Sequence, residues 1–155
     1  MATSDASETR VRVAAFEELS TDLLYQILRL RVDVFVVEQR CPYPDLDGRD
    51  TDPTTRHVWA ERDGAVLGYL RIVVEPDGTP RIGRVCVVPQ ARGAGLASRL
   101  LRTALDLIAD RPVVLHAQAH LTEYYGRFGF TVAGPTYLED GIPHVMMRRV
   151  PTPAR

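Results

Sequence analysis

The chain has 155 residues, of which 45% are hydrophobic and 25% charged, a composition typical of one globular domain. Its formal net charge of −1 gives no electrostatic reason to expect binding to nucleic acid or to an anionic membrane. No apolar run approaches the roughly 18 residues that a membrane-spanning helix needs. We therefore expect a cytoplasmic protein with one domain over residues 11–150, a flexible N-terminal tail over 1–10 and a C-terminal tail over 151–155.

The chain begins with a short strand-like stretch and one strongly amphipathic segment. Arg10–Ala14 alternates in polarity and predicts a strand. Apolar side chains at helical spacing predict a helix from Asp22 to about Gln39, and Cys41-Pro42 ends it. Pro42–Arg56 is a long polar loop, and long ordered loops tend to be functional or mobile.

The middle of the chain predicts three consecutive antiparallel strands. Two strand-like runs, His57–Arg62 and Ala65–Val74, flank Asp63-Gly64, a dipeptide that favours the tight turn of a hairpin. Pro76-Asp77-Gly78 predicts a second turn. The strand Ile82–Val88 is therefore expected beside the second arm of the hairpin.

The remaining segments alternate helices with strands. Leu96–Ala109 predicts a second amphipathic helix and Val113–Ala117 a short buried strand, so the strands on either side of this helix are expected to be parallel. A short helix over Leu121–Phe128 and a terminal strand pair, Thr131–Ala133 with His144–Arg149, complete the pattern. The predicted fold is α/β (α+β in some schemes): one mixed, mostly antiparallel sheet with a parallel βαβ pair and helices on both faces.

The junction before the second long helix carries the most specific pattern. An apolar strand runs into Pro89 and a loop that holds Gln90, Arg92, Gly93 and Gly95, and the helix follows without a linker. Main-chain N–H groups, two glycines and the positive end of a helix dipole meet there, a combination that binds phosphate. The loop lacks the Gly-Lys-Ser/Thr ending of a triphosphate-binding loop, so we expect the diphosphate of another cofactor. The alternative is a tight turn with Arg92 in solvent.

This loop and a second motif resemble the GNAT superfamily of N-acetyltransferases. Gln90, Gly93 and Gly95 are similar to its Gln/Arg-x-x-Gly-x-Gly/Ala pyrophosphate loop, and Tyr125–Phe130 is similar to its Tyr-x-x-x-Gly-Phe element. Six further segments are similar to the ElaA-type branch: Phe35–Gln39, Cys41–Tyr43, Asp45–Gly48, Arg56–His57, Ala117–Leu121 and Glu139–His144.

The resemblance implies direct transfer of an acetyl group from acetyl-CoA to a primary amine of a small molecule or peptide, with no metal. It implies that main-chain groups over residues 92–97 hold the pyrophosphate, while Val85 and Val87 pair with the pantetheine arm as an added strand would. A main-chain N–H near Val87 would stabilise the thioester oxygen. The cofactor-binding residues expected on this basis are Val85, Cys86, Val87, Gln90, Arg92, Gly93, Ala94, Gly95, Leu96 and Ala97.

Tyr125 matches the position of the family's general acid. Its hydroxyl would protonate the leaving thiolate, because a thiol with a pKa of about 8.5 leaves more easily when protonated. Tyr124 points about 100° away on the same helix, so only one of the two can face the sulfur. We expect Tyr124 in the core or in the wall of the cofactor site. For both tyrosines the alternative is ordinary helix packing.

The base that must neutralise the amine is harder to assign. Many relatives carry a carboxylate on the strand before Val85, but Arg81–Arg84 contains no acid. Glu38, at the end of the first long helix, is the first candidate, and His120 and His144 are others. For each of them the alternative is a solvated or packed polar group. The missing acid also motivates a second hypothesis, a non-catalytic module that binds acetyl-CoA or CoA.

Other polar residues receive structural or open interpretations. Cys41 and Cys86 lie in different contexts, so neither a disulfide nor a metal site is expected, and Cys86 is interpreted as a small hydrophobe. His57 and Trp59 are expected to pack. A homodimer is left open. Four aspartates of the long loop either form an acidic rim that attracts a cationic amine or are simply solvated: Asp45, Asp47, Asp50 and Asp52.

Overall fold

The computed structural model describes residues 8–151, so residues 1–7 and 152–155 of the two predicted tails lie outside the described residues. The strands are β1 (Arg10–Ala14), β2 (Arg56–Arg62), β3 (Ala65–Val74), β4 (Pro80–Val87), β5 (Val113–Gln118), β6 (Thr131–Val132), β7 (Tyr137–Glu139) and β8 (Ile142–Arg149). The α-helices are α1 (Thr21–Val32), α2 (Leu96–Ile108) and α3 (Thr122–Gly126). None of these helices is long and apolar enough to cross a bilayer.

All of these strands belong to one sheet, in the order β1-β2-β3-β4-β5-β8-β6, with β7 paired to β8. Every pairing among them is antiparallel except that of β4 with β5. Helix α2 connects those two parallel strands. The predicted fold class is therefore confirmed.

The alternating side chains of β2 show how the two faces of the sheet are buried. Val58 and Ala60 contribute to the core under α2, and Trp59 contributes to the core under α1. On the α1 side, Ile27 and Leu30 pack with Trp59. The buried face of α2 consists of Leu96, Leu100, Leu101, Ala104 and Ile108. Because each fully buried aliphatic side chain contributes about 1.5–3 kcal/mol, these contacts hold one helix firmly on each face.

Two segments differ from the sequence-based prediction. The helix expected over Asp22–Gln39 is α-helical only to Val32 and continues as a π-helical turn, Asp33–Glu38. The segment expected to link the last two strands contains β7 and the turn Asp140-Gly141. The φ angles of these two residues are 50° and 79°, the paired positive values of a type I′ hairpin turn, which Asp-Gly favours.

Buried ion pairs hold the long loop between α1 and β2. Asp45 and Asp50 are only 3% and 7% exposed. The fully buried Arg31 donates to Asp45 Oδ2 at 3.0 Å and to Asp50 Oδ1 at 2.7 Å. Arg71 donates to Asp50 Oδ1 at 3.0 Å and forms a second ion pair with Asp47. Arginines from the helix and the sheet neutralise these three aspartates, so the expected acidic rim is wrong for them. The solvated alternative is wrong for Asp45 and Asp50, whereas Asp47 stays exposed to solvent while it pairs with Arg71.

His57 and Trp59 pack as expected, at 1% and 4% exposure. The ring nitrogens of His57 lie 2.7 Å from the Tyr69 hydroxyl and 3.0 Å from the Asp50 carbonyl oxygen. Burial lowers the pKa of His57, so the ring is neutral at pH 7. His57 therefore serves the core and the anchoring of the loop.

Candidate active site

The candidate site lies where β4 and β5 separate. The two strands pair only at Arg81 with Val114 and at Ile82 with Leu115. Just beyond this point the pairing of β4 with β3 shifts register, and Arg84 adopts a left-handed φ of 56°. An extra residue of this kind is a β-bulge, which bends its strand. The bend moves the rest of β4 away from β5, and a cavity adjoins each side of the gap.

The first cavity, which we call the cofactor groove, lies between the N-terminus of α2 and α3 and has an empty volume of about 1290 Å³ including its open mouth. It is lined by eight of the ten predicted cofactor-binding residues: Val85, Cys86, Val87, Arg92, Gly93, Gly95, Leu96 and Ala97. The other two, Gln90 and Ala94, instead line a separate cleft with Thr9 and Arg99. Neither of these two residues lines the groove.

The loop before α2 presents a cradle of main-chain N–H groups to this groove. Gly93 and Gly95 have φ angles of 87° and 78°, left-handed values that other residues adopt only with strain. No side chain caps α2, whose first turn closes when the Arg99 N–H donates to the Gly95 carbonyl at 3.1 Å. Within the described part of the chain, no acceptor reaches the N–H groups of residues 93–98. Such a row of donors at a helix N-terminus suits a diphosphate.

Arg92 and Glu38 form an ion pair beside the cradle. The Arg92 Nη2 donates to Glu38 Oε1 at 2.9 Å, and its Nε donates to the Val87 carbonyl oxygen at 3.0 Å. Both side chains of the pair are 42% exposed. Glu38 therefore lines the cofactor groove and holds Arg92, and it does not line the cavity on the other side of the gap.

Tyr125 lies at the junction of the two cavities and lines both. Burial, with a smaller contribution from Tyr124, raises the pKa of Tyr125 to about 12, so the hydroxyl keeps its proton at neutral pH. The Tyr125 hydroxyl makes no hydrogen bond to any other described residue. The Tyr124 hydroxyl, in contrast, lies 3.0 Å from Ser98 Oγ and lines only the cofactor groove. Tyr124 is thus a wall of the groove, one of its two expected positions.

The second cavity, which we call the acceptor pocket, has an empty volume of about 1020 Å³ including its mouth. Gln39 and Gln118 line both cavities, and Gln118 Nε2 donates to Gln39 Oε1 at 3.3 Å. This bond joins the end of β5 to the end of the π-helical turn. The two cavities therefore adjoin each other at Tyr125 and the two glutamines.

Strand register places several polar side chains on the face of the sheet that borders the acceptor pocket. Gln118 pairs with His144 across β5 and β8, and His144 pairs with Tyr137 across β8 and β7. Directly opposed residues project from the same face, and so do residues two positions apart in one strand. His116 and Glu139 therefore share this face with them, and all but Tyr137 line the pocket.

Hydrogen bonds orient the two histidines of this face. His144 Nδ1 lies 2.7 Å from the Ile142 carbonyl oxygen, so this nitrogen carries the proton of the neutral ring and donates it. Its Nε2 lies 3.6 Å from Glu139 Oε2. The Tyr137 ring stacks on His144 with 6.0 Å between ring centroids, and its hydroxyl bonds to His116 Nδ1. Burial and the charge of Arg81 lower the pKa of His116.

The opposite wall of the acceptor pocket comes from the long loop between α1 and β2 and from Arg84 of β4. The Tyr43 hydroxyl donates to Asp45 Oδ1 at 2.6 Å, and the Arg84 guanidinium lies 5.3 Å from the centre of the Tyr43 ring. Arg84 Nη2 donates to the Asp45 carbonyl oxygen at 3.1 Å, whereas Nε lies 2.9 Å from Asp45 Oδ1 without the alignment of a hydrogen bond. Burial and the bond to Asp45 raise the pKa of Tyr43. The buried ion pairs thus reach the pocket through Asp45.

Comparison with known proteins decides the family. The family profile described as an acetyltransferase (GNAT) domain matches residues 27–150. The chain belongs to the GNAT family of acetyltransferases. It is therefore an acyltransferase by family.

Individual relatives confirm the finer resemblance. A UPF0039 protein of Mycobacterium tuberculosis is 50% identical over 137 residues, which cover 86% of this chain and 88% of that protein. The crystal structure of Escherichia coli ElaA has a TM-score of 0.86 and 39% identity, with 91% of this chain and 99% of that chain covered. An acyl-CoA N-acyltransferase from Pseudomonas aeruginosa has a TM-score of 0.87 and 45% identity, with 92% and 100% covered. The predicted ElaA-type GNAT resemblance is confirmed.

The cysteines of the GNAT domain are buried free thiols. Cys86 packs in the core with Trp59 and Tyr69, and burial raises its pKa. Its interpretation as a small hydrophobe is confirmed. Cys41 lines the acceptor pocket, with its Sγ 3.6 Å from the Asp140 carbonyl oxygen. No group of three or more His, Cys, Asp or Glu within residues 8–151 is placed to hold a metal ion.

Several site residues were not selected from the sequence. They are Gln39, Tyr43, Ser98, His116, Gln118, Tyr137 and Glu139. One signal for part of this set was available. Asp140-Gly141 is the same dipeptide as the predicted turn at Asp63-Gly64, and treating it in the same way would have paired Glu139 with the strand that carries His144.

Proposed function

We propose that this GNAT domain is an acetyl-CoA-dependent N-acetyltransferase that transfers an acetyl group directly to a primary amine of a small molecule or peptide. One observation carries the proposal. Tyr125 lines both the groove that bears the row of N–H donors and the second pocket on the other side of the sheet. A transferase that joins two substrates needs such a meeting point between two binding cavities.

The residues of the groove fit the proposed donor. When bound, acetyl-CoA supplies the activated acetyl group. The N–H groups of residues 93–98 would hold its diphosphate, and Arg92 adds positive charge nearby. The edge of β4 facing β5 is unpaired beyond Ile82, so main-chain groups of Val85 and the N–H of Val87 are available to an added strand such as the pantetheine arm, while the Val87 carbonyl oxygen already accepts from Arg92 Nε. A main-chain N–H near Val87 is the proposed donor to the thioester oxygen.

Tyr125 is the proposed general acid. A phenol whose pKa burial raises to about 12 is fully protonated at pH 7 and can give its proton to a sulfur that becomes a thiolate. For the base, three candidates from the sequence occupy different places. Glu38 and His120 line the cofactor groove, while His144 lines the acceptor pocket, where the amine would arrive.

The proposal is tested by calorimetry with acetyl-CoA and by free-thiol release with a panel of amines: a polyamine, an amino sugar, free lysine and a lysine peptide. Mass spectrometry of the products identifies the acetylated amine. Tyr125→Phe should lower kcat by roughly 10²–10⁴-fold with little change in acetyl-CoA affinity, the range expected for loss of a general acid. Tyr124→Phe is the matched control and should keep most of kcat. Equal kcat for wild type and Tyr125→Phe would remove the acid role.

The outcomes also separate the proposed enzyme from the alternative. Tight binding of acetyl-CoA without turnover of any amine in the panel would favour a non-catalytic CoA-binding module. Absence of binding would refute the use of the cradle for a CoA diphosphate.

A further inference from the structure

The acceptor pocket contains two proton acceptors that face each other without being bonded to each other. His144 Nε2 and Glu139 Oε2 are 3.6 Å apart, too far for a good hydrogen bond. His144 Nδ1 already donates to the Ile142 carbonyl oxygen at 2.7 Å, so Nε2 holds the lone pair of the neutral ring. The side chain of His144 is 12% exposed and that of Glu139 is 51% exposed. The carboxylate therefore lies at the pocket mouth and the imidazole deeper inside.

On the basis of the proposed N-acetyltransferase function, we propose that His144 is the general base of the reaction. His144 Nε2 and Glu139 together form the binding site for the ammonium group of the acceptor. One ammonium group has three N–H donors and can donate to both atoms at once. A hydroxyl has a single proton and cannot. The site therefore selects amines that enter the pocket as cations over alcohols.

The proposal places acid and base on opposite sides of the gap between β4 and β5. Tyr125 belongs to the core that also contains Val87 and Ala117, on the α2 side of the sheet. His144 lies on the opposite face, because it opposes Gln118, and Gln118 alternates with the buried Ala117 along β5. An amine deprotonated at His144 would thus approach the thioester from one side, while the sulfur leaves toward Tyr125 on the other.

The proton and bond changes balance with these two residues. His144 Nε2 takes one proton from R–NH₃⁺, and the free amine forms a bond from nitrogen to the acetyl carbonyl carbon. The bond from that carbon to sulfur breaks, and the sulfur takes the Tyr125 proton. The second proton lost by the nitrogen restores the Tyr125 hydroxyl. His144 releases its proton to water, so the products are an amide, free CoA thiol and one proton.

Tyr137 and His116 are positioning residues in this arrangement. Tyr137 stacks on the His144 ring and bonds to His116 Nδ1, which fixes the ring plane from the neighbouring strand. The charged and titratable groups around His144 are Glu139, Asp140 and Tyr137 from the β7–β8 hairpin, His116 from β5 and Arg81 from β4. Because the pKa of His116 is lowered, that ring is neutral over the range in which the base must act.

The kinetic test compares His144→Gln with Arg148→Gln, a control that changes an exposed residue of the same strand that lines neither cavity. With an amine that the wild type acetylates, we expect His144→Gln to lower kcat/KM by about 10²–10⁴-fold at pH 7. The loss should shrink as pH approaches the amine's own pKa, near 10.4 for a lysine-like amine, because the amine then needs no base. Acetyl-CoA affinity should not change. A defect that stays constant with pH would indicate a structural role only and would overturn the assignment.

A second readout does not depend on turnover. Nitrogen-15 NMR of the histidine rings should show neutral His144 with its proton on Nδ1, and Glu139→Gln should leave this tautomer in place while weakening kcat/KM. A proton on Nε2 would refute the base assignment. Wild-type turnover that survives His144→Gln unchanged would overturn this inference and leave the N-acetyltransferase proposal standing. A wild type that binds acetyl-CoA but acetylates no amine would remove both.

Discussion

Replacing Arg31 by methionine tests the buried ion pairs that shape the acceptor pocket. Arg31 is 0% exposed and donates to Asp45 Oδ2, to the Asp45 carbonyl oxygen and to Asp50 Oδ1, at 3.0, 2.8 and 2.7 Å. Methionine fills a similar volume but donates nothing. The Asp45 and Asp50 side chains, 2% and 10% exposed, would then lose their shared cation.

The expected loss of stability follows from this burial. Removing one partner of a buried ion pair costs about 3–5 kcal/mol, because the other partner stays charged and away from water. For a domain of this size, that loss lowers Tm by roughly 6–20 °C. Arg29→Met is the matched control two residues away on the same helix. The Arg29 side chain is 74% exposed and lies 3.8 Å from Asp33, so its loss should cost less than about 0.5 kcal/mol.

Urea unfolding at pH 7 measures the free energy of unfolding of both variants. An unchanged m value, the slope of that free energy against urea concentration, indicates that only stability differs. Turnover should also fall for Arg31→Met, because Asp45 positions Tyr43 and Arg84 in the pocket wall. Equal unfolding midpoints for Arg31→Met and Arg29→Met would refute the view that these ion pairs hold the loop.

Three further predictions concern other parts of the molecule. Gly95→Ala and Gly64→Ala should cost similar stability, since both glycines have φ near 78–79°. Only Gly95→Ala should weaken CoA binding, by about 10-fold in Kd, because relief of the strained φ would turn one N–H of the cradle away from the charged diphosphate. Burial alone would raise the pKa values of Asp47 and Asp50, but their arginine partners lower them. The ion pairs therefore stabilise the fold fully above the pKa of an unfolded aspartate, about 3.9, and this stabilisation is lost as the pH falls below that value. Urea unfolding midpoints should accordingly decline from pH 7 to pH 4 and pH 3. Cys86 should react with a thiol reagent only on unfolding, and rapid labelling of the native protein would contradict its burial.

Features that depend on local geometry could be predicted from the sequence. The strand, the loop with Gly93 and Gly95 and the helix that follows form one continuous segment, so its pattern already predicts a row of N–H donors. The apolar periodicity of α2 and the parallel βαβ unit follow for the same reason. Tyr125 was reached through a motif on one short helix. What these features share is that their partners are near in sequence.

Features that depend on distant partners could not be predicted in this way. Asp45 and Asp50 resemble solvated loop residues until α1 and β3 bring Arg31 and Arg71 to them. Glu38 looked suitable as a base at the end of a helix, and only the packed structure shows it bound to Arg92. Such pairings depend on where the sheet places side chains that lie tens of residues apart.

The sequence by itself determined most of the strands and helices and the glycine-rich loop before α2, because hydrophobic periodicity and glycine conformation act over a few neighbouring residues, and the resemblance to a family motif singled out Tyr125. Only the tertiary structure decided that β4 and β5 part at a bulge, that two cavities adjoin at Tyr125, and that His144 and Glu139 meet across a hairpin. Strand register and burial set those positions, and both arise only when the whole sheet has formed.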